Sequence, residues 1–186
     1  MKHLVVLTVT ALFLAAGAAH AQKSEVGKRA ANQQQRIAQG VKSGSLTARG
    51  TANLETKEAA INHEVKADRS MNGGKLTGQE KRTVNQQQNH LSNRIYADKH
   101  NAARQNYGHS EVGQRQTNQQ QRIGNGIASG KLSAGQAAHL ENGEAGLNQE
   151  VRADRNANGG TLTQGEKQQV NQQQNQMSNQ IYNAKH

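Results

Sequence analysis

Residues 64–80 read EVKADRSMNGGKLTGQE, and residues 150–166 repeat the pattern as EVRADRNANGGTLTQGE. The paired glycines predict the end of a helix, because glycine readily adopts the positive φ angle that a helix C-terminus needs. Thr77 and Glu80 then have the spacing of a capping box, in which each side chain accepts from a backbone N–H of the other residue. Each copy of this stretch therefore predicts a helix, a tight turn and a second helix.

The duplication covers almost the whole chain. The segment NQQQRI occurs at residues 32–37 and again 86 positions later, at residues 118–123, without a slip in register. A fixed repeat period indicates tandem copies of one structural unit. The predicted organisation is a signal peptide (1–21), a first helical repeat (22–100), a linker (101–109) and a second helical repeat (110–186).

Apolar spacing predicts three helices per repeat and no strand. Leu54, Ile61 and Val65 fall at i, i+7 and i+11, which is one face of an α-helix. In the first repeat the predicted helices span residues 25–43, 48–69 and 78–99. The fold class is therefore all-α, with two tandem three-helix (helix-loop-helix) repeats. The apolar faces are thin for units of this size, so we expect added support from the sister repeat, a homodimer partner or a bound ion.

The N-terminus has the features of a targeting segment. Leu4 to Ala19 is almost wholly apolar and is followed by the small-x-small pattern Ala19-His20-Ala21. The apolar run is shorter than the roughly 20 residues that span a bilayer. We therefore expect cleavage after Ala21 and a periplasmic or secreted protein, which uses no disulfide because the chain has no cysteine.

The charge balance is strongly basic. The chain has 23 Lys and Arg residues against 13 Asp and Glu residues, a formal net charge of +10. Such a balance favours anionic surfaces, including envelope polymers. Specific recognition of nucleic acid is not expected, because only three tyrosines follow the apolar N-terminus and stacking platforms are therefore scarce. The simpler alternative is a solvated basic surface without a partner.

The stretch that begins at Asp68 resembles an EF-hand calcium loop. That motif alternates oxygen-bearing side chains at its start, turns at a glycine and closes with a bidentate glutamate, since a hard cation needs six to eight oxygen ligands. The predicted ligands are Asp68, Ser70, Asn72 and Glu80 in the first repeat and Asp154, Asn156, Asn158 and Glu166 in the second.

Two departures from the motif predict weak Ca²⁺ binding. The extra Gly74 makes the loop one residue too long, and each loop keeps only two carboxylates. We expect affinities of the order of 0.1–1 mM, as in extracellular calcium modules. The alternative is that the same residues only cap the two neighbouring helices. The Glu64–Asp68 pair has no other recurring catalytic group beside it, so no enzymatic activity and no further cofactor are predicted.

The chain contains four Asn-Gln-Gln-Gln stretches, which begin at Asn32, Asn85, Asn118 and Asn171. Glutamine is compatible with a helix, so a solvated helix face is the favoured interpretation. Amide contacts between helices, or with a glycan, are the alternative.

Two further segments have a family resemblance. Residues 34–47 follow the pattern QQRIxxGxxSGxLT, and residues 89–100 follow NxxSxxIYxxKH. Together they resemble an uncharacterised bacterial family of small exported helical proteins, which implies export but no particular activity. The Leu-Thr-x-x-Glu turns are also loosely similar to a motif of Spy-type periplasmic chaperones. Three hypotheses follow: a non-enzymatic binding protein with weak Ca²⁺ sites, a stress or chaperone-like interaction protein, and a protein that binds anionic envelope polymers.

Overall fold

The computed structural model describes residues 24–186, and this part of the chain folds into six α-helices without a strand. The predicted signal peptide lies outside the described residues. The first repeat contains α1 (Glu25–Lys42), α2 (Ala48–Met71) and α3 (Gly78–His100). The second repeat contains α4 (Glu111–Ala128), α5 (Ala134–Ala157) and α6 (Gln164–Lys185). The all-α fold class is confirmed, and the six helices are compatible with two three-helix repeats.

The helix ends lie where the local sequence signals predict them. A Ser or Thr side chain caps the start of every helix, and at Thr77, Ser133 and Thr163 the full capping box forms. Equivalent helices of the two repeats begin 86 residues apart. The main difference from the prediction is that α2 extends two residues further, to Met71, before Asn72 ends it.

Buried glutamines join the third helix of each repeat to the first. Gln33 Nε2 donates to the backbone oxygen of Gln88 at 2.7 Å, and Gln88 Nε2 donates to the backbone oxygen of Val26 at 2.9 Å. Gln119 and Gln174 make the same two contacts in the second repeat. At these positions the interpretation of the glutamine stretches as a solvated face is wrong. An amide reaches carbonyl groups across a helix pair and satisfies them in the core, so each of these glutamines can replace a large apolar side chain.

The two repeats pack against each other as an internal pseudo-dimer. Gln35 Nε2 donates to the backbone oxygen of Ala128 at 2.8 Å, and the equivalent Gln121 Nε2 donates to Lys42, the counterpart of Ala128, at 3.0 Å. Reciprocal contacts of this kind define a two-fold relation between the repeats. The same contacts show that α1 and α4 run antiparallel, because the middle of each helix meets the end of the other.

The repeats share one hydrophobic core. Its largest cluster contains Ile37, Leu54 and Ile95 from the first repeat with Ile123, Leu140 and Ile181 from the second, all at most 1% exposed. A smaller cluster, which includes Leu147 and Val170, lies within the second repeat. The thin apolar faces are thus supported by the sister repeat, which was one of the three predicted sources of added stability.

The contact between α2 and α5 contains four fully buried glutamates, here called the glutamate seam: Glu55, Glu58, Glu141 and Glu144. Glu55 and Glu141 occupy equivalent positions, close enough for the charge of one to raise the pKa of the other. Gln34 Nε2 donates to Glu55 Oε2 and Gln120 Nε2 to Glu141 Oε2, both at 2.9 Å. The pseudo-two-fold axis therefore passes near the middle of the seam.

The seam glutamates are neutral at mildly acidic pH. Burial raises the pKa of Glu55 to about 8, of Glu58 to about 7 and of Glu144 to about 8, and it raises the pKa of Glu141 well above its usual range. No cation compensates these carboxyl groups: among residues 24–186 the ion pair present is Arg94–Asp98, which lies elsewhere. Because a charged group without a partner is costly to bury, the seam favours the protonated acids.

Candidate functional site

The predicted calcium-loop residues lie at the corner between α2 and α3. Helix α2 continues to Met71, so Asp68 and Ser70 belong to its last turn and not to a loop. Ser70 Oγ donates back to the backbone oxygen of Ala67 at 2.7 Å. Ser70 is therefore not brought together with the other predicted ligands, and its counterpart Asn156 is exposed within the last turn of α5.

The two glycines of the corner complete a helix C-cap. Gly73 and Gly74 have φ angles of 61° and 87°, and the N–H of Gly74 donates to the backbone oxygen of Arg69 at 2.7 Å. This is the long hydrogen bond of a Schellman motif, which needs positive φ after the helix end. The second glycine, which makes the loop longer than an EF-hand loop, thus has a structural role in ending α2.

Asn72 and Glu80 do meet. Asn72 Nδ2 donates to both carboxylate oxygens of Glu80, at 2.8 and 3.1 Å, and to the backbone oxygen of Asp68 at 2.9 Å. Glu80 also accepts from the N–H of Thr77 at 2.7 Å, and this bond is the main cause of its lowered pKa. Asn158 and Glu166 repeat the arrangement in the second repeat. In this geometry the amide nitrogen of Asn72, and not its oxygen, faces the carboxylate.

Asp68 completes the corner. Partial desolvation, then the nearby Glu80 and Glu64 carboxylates, raise the pKa of Asp68, and Asp154 shows the same causes in the second repeat. The structure therefore brings Asp68, Asn72 and Glu80 together. Among residues 24–186, no three Asp, Glu, His or Cys side chains are grouped closely enough to hold a metal ion, but a calcium loop that keeps two carboxylates and uses amide and backbone oxygens would not need such a group. As arranged, the corner residues form two helix caps, which is the alternative that the sequence left open.

The two acidic corners also lie far apart. Helices α2 and α5 meet near Glu55 and Glu141 and run antiparallel, because Arg49 at the start of α2 contacts Gln149 in the second half of α5. Each corner follows 16 residues after its glutamate, about 24 Å along the helix at 1.5 Å per residue, and the two corners lie in opposite directions from the meeting point. Because α2 is a single unbroken helix, the plain turn before it and the acidic corner after it are at opposite ends. The loops are therefore not paired side by side, as they are in ordinary EF-hand domains.

The distribution of charge over the surface was not foreseen from the sequence. Of the 23 Lys and Arg residues, all but Lys2 and Lys23 lie in the described range, and none of these 21 is buried. All 13 Asp and Glu residues lie in that range, but four of them are buried in the glutamate seam. Exposed and half-buried residues together thus carry 21 basic groups against nine carboxylates. This is an excess of 12, whereas the formal excess over the described residues is 8.

The basic side chains are also largely free of ion pairs. Within residues 24–186, one ion pair has its charged atoms closer than 4 Å: Arg94 Nε lies 3.0 Å from a carboxylate oxygen of Asp98. Few exposed aromatic side chains could stack on a nucleic-acid base. In the described chain the large ones are Tyr96 and Tyr182, and each already stacks on the histidine four residues later. None of the six helices is long and apolar enough to cross a membrane.

Comparison of the chain with protein families, with curated proteins and with solved structures found no match in any of the three. The resemblance to a family of small exported helical proteins therefore stays a prediction.

Proposed function

We propose that this chain is an exported, non-enzymatic protein that binds anionic envelope polymers through its basic helical surface. The observation that supports this function best is the excess of 12 unburied basic groups over unburied carboxylates among residues 24–186. Of these basic groups, Arg94 is the one with a carboxylate within 4 Å. A surface of this kind attracts polyanions over a range of about 8–10 Å at moderate ionic strength.

The glutamate seam strengthens this surface. Four acidic groups that would offset a third of the excess are instead buried, and at mildly acidic pH they are protonated. The exposed positive charges are distributed over all six helices, so they suit a repeating polyanion better than one compact ligand. The scarcity of exposed aromatic residues argues against base stacking, and with it against a specific reader of single-stranded nucleic acid.

A binding assay with two matched polymers tests this function. The chain from residue 22 onwards is titrated with dextran sulfate and with uncharged dextran of the same length, in NaCl from about 50 to 500 mM, a range over which electrostatic screening rises several-fold. We expect binding to dextran sulfate alone and a steep loss of affinity with salt. Equal binding to both polymers, or affinity that does not change with salt, would refute the function.

Weak Ca²⁺ binding is a second candidate, which the meeting of Asp68 and Glu80 in both repeats supports. A cation there would have to replace the Asn72 amide that now bonds to Glu80, so we expect millimolar affinity at best. Calorimetric titration with Ca²⁺ to several millimolar, on the native chain and on the Asp68→Ala, Asp154→Ala variant, tests this candidate. Heat that the double substitution abolishes supports it, and the absence of heat from the native chain eliminates it.

A further inference from the structure

A pocket of about 370 Å³ opens where α2 begins, between the linker and α5. Three arginines line it, one from each of these elements: Arg49, Arg104 and Arg152. No carboxylate lines the pocket, although nine unburied carboxylates lie elsewhere on the described chain. Three like charges converge here without a counter-ion from the protein, which singles this pocket out from the rest of the basic surface.

The linker is held in place to form one wall. The N–H of Gln105 donates to the backbone oxygen of Gly44 at 2.9 Å, and Gln105 Oε1 accepts from the N–H of Ala48 at 3.1 Å. Gly44 has a φ angle of 67°, and a Cβ atom there would lie 2.8 Å from the backbone oxygen of Gln105. Glycine at this turn therefore allows the linker to approach closely and to bring Arg104 beside Arg49.

The three guanidinium groups keep free donors. Arg104 uses Nη1 to hold the end of α3, with its shortest bond, 2.8 Å, to the backbone oxygen of Asn101. Arg49 makes one long contact, 3.5 Å, to Gln149 Oε1. All three side chains are exposed, so their remaining N–H groups are open to solvent.

From this arrangement we propose that the pocket binds an oxyanion group, a phosphate or sulfate, through Arg49, Arg104 and Arg152. The planar guanidinium fork matches two oxygens of such a group and forms charge-assisted hydrogen bonds. The pocket also lies at the start of α2, where the helix dipole adds to the positive potential. The ligand is either a free oxyanion or one such group of the anionic polymer; the second form rests on the proposed function.

The site occurs once per chain. The linker that supplies Arg104 and Gln105 has no second copy among residues 24–186, and the counterpart of Arg49 in the second repeat is Gly135. The pocket therefore breaks the two-fold relation of the repeats and predicts one oxyanion per molecule.

The test uses the chain from residue 22 onwards with pyrophosphate and dextran sulfate as probes. The pocket variant is Arg49→Gln, Arg152→Gln. The control variant, Lys81→Gln, Arg82→Gln, removes the same charge from an exposed site at the start of α3. Circular dichroism checks that both variants fold, and Arg152→Gln alone is used if the double variant does not.

We expect one pyrophosphate per chain, an affinity at least about tenfold lower in the pocket variant, and no more than about a twofold change in the control. Equal losses in the two variants, or no loss in either, would overturn the site.

The polymer separates the two proposals. If the native chain binds no dextran sulfate, the proposed function fails, but the pyrophosphate result still decides the pocket. If the polymer binds and only the pocket variant loses pyrophosphate, both proposals stand.

Discussion

Replacing Glu55 by glutamine should make the protein more stable at alkaline pH. Burial raises the pKa of Glu55 from 4.5 to about 8, and the change leaves an oxygen that can still accept from Gln34. Because the pKa of Glu55 is higher in the folded chain than in the unfolded chain, this group stabilises the fold fully below pH 4.5. The contribution is lost as the pH rises from 4.5 through 8. A shift of about 3.5 units at 1.36 kcal/mol each corresponds to about 5 kcal/mol, as an upper limit.

Urea unfolding followed by circular dichroism from pH 5 to pH 9 measures this effect. The native chain should lose stability across the range, whereas the Glu55→Gln variant should lose less and exceed the native chain by several kcal/mol at pH 9. Near pH 5 the two should differ little, because protonated glutamate and glutamine are both neutral. The exposed Glu111→Gln change is the matched control, for which we expect a small difference that does not depend on pH. The reasoning is refuted if Glu55→Gln behaves like the control, or if the native chain is more stable at pH 9 than at pH 5.

Four further substitutions test the packing and the helix caps, each by urea unfolding at pH 6. Gly113→Ala should destabilise by about 2–4 kcal/mol, because its Cβ would lie 2.1 Å from the backbone oxygen of Tyr107; Gly146→Ala, with open space around it, should instead stabilise by up to about 1 kcal/mol. Gln88→Leu should cost about 1 kcal/mol, since it removes the hydrogen bond from the amide to the backbone oxygen of Val26, and a neutral effect would contradict the assigned role of the amide. Thr77→Ala should cost about 1 kcal/mol through loss of the helix cap, and stability equal to that of the native chain would show that the capping box contributes nothing.

The local features of the fold could be predicted from the sequence. Helix ends depend on residues within one turn, so the capping residue Thr77 and the glycines at 73 and 74 place a boundary without knowledge of the rest of the chain. The repeat period likewise predicts equivalent helices. It does not predict how the repeats pack, because a repeat can face its sister, a second molecule or solvent with the same internal pattern.

The glutamate seam could not be predicted for a physical reason. Glu55 and Glu58 lie at i and i+3 on a helix, a spacing that normally marks an exposed charged face. Their burial depends on contacts with α5, which begins almost eighty residues later in the chain. For the same reason the sequence does not predict what the Gln88 amide binds, since the carbonyl group that accepts from it belongs to a different helix.

The acidic corner was ambiguous for a different reason. Asp68, Asn72, Gly73 and Glu80 have the oxygen atoms of a calcium loop, but they are also the residue types that end one helix and begin the next. The position of the amide nitrogen of Asn72 distinguishes the two arrangements, and a sequence does not specify it.

The fold and the proposed function are connected by one claim: the four buried glutamates are neutral, and the surface is therefore strongly basic. The number of protons released on unfolding at pH 6 tests this claim most directly. At this pH the seam glutamates are almost fully protonated in the folded chain and almost fully ionised in the unfolded chain. Unfolding in weakly buffered urea should therefore release about four protons per molecule, measured with a pH electrode or an indicator dye. Release of about one proton or fewer would show that the seam is ionised in the folded protein and would contradict the account.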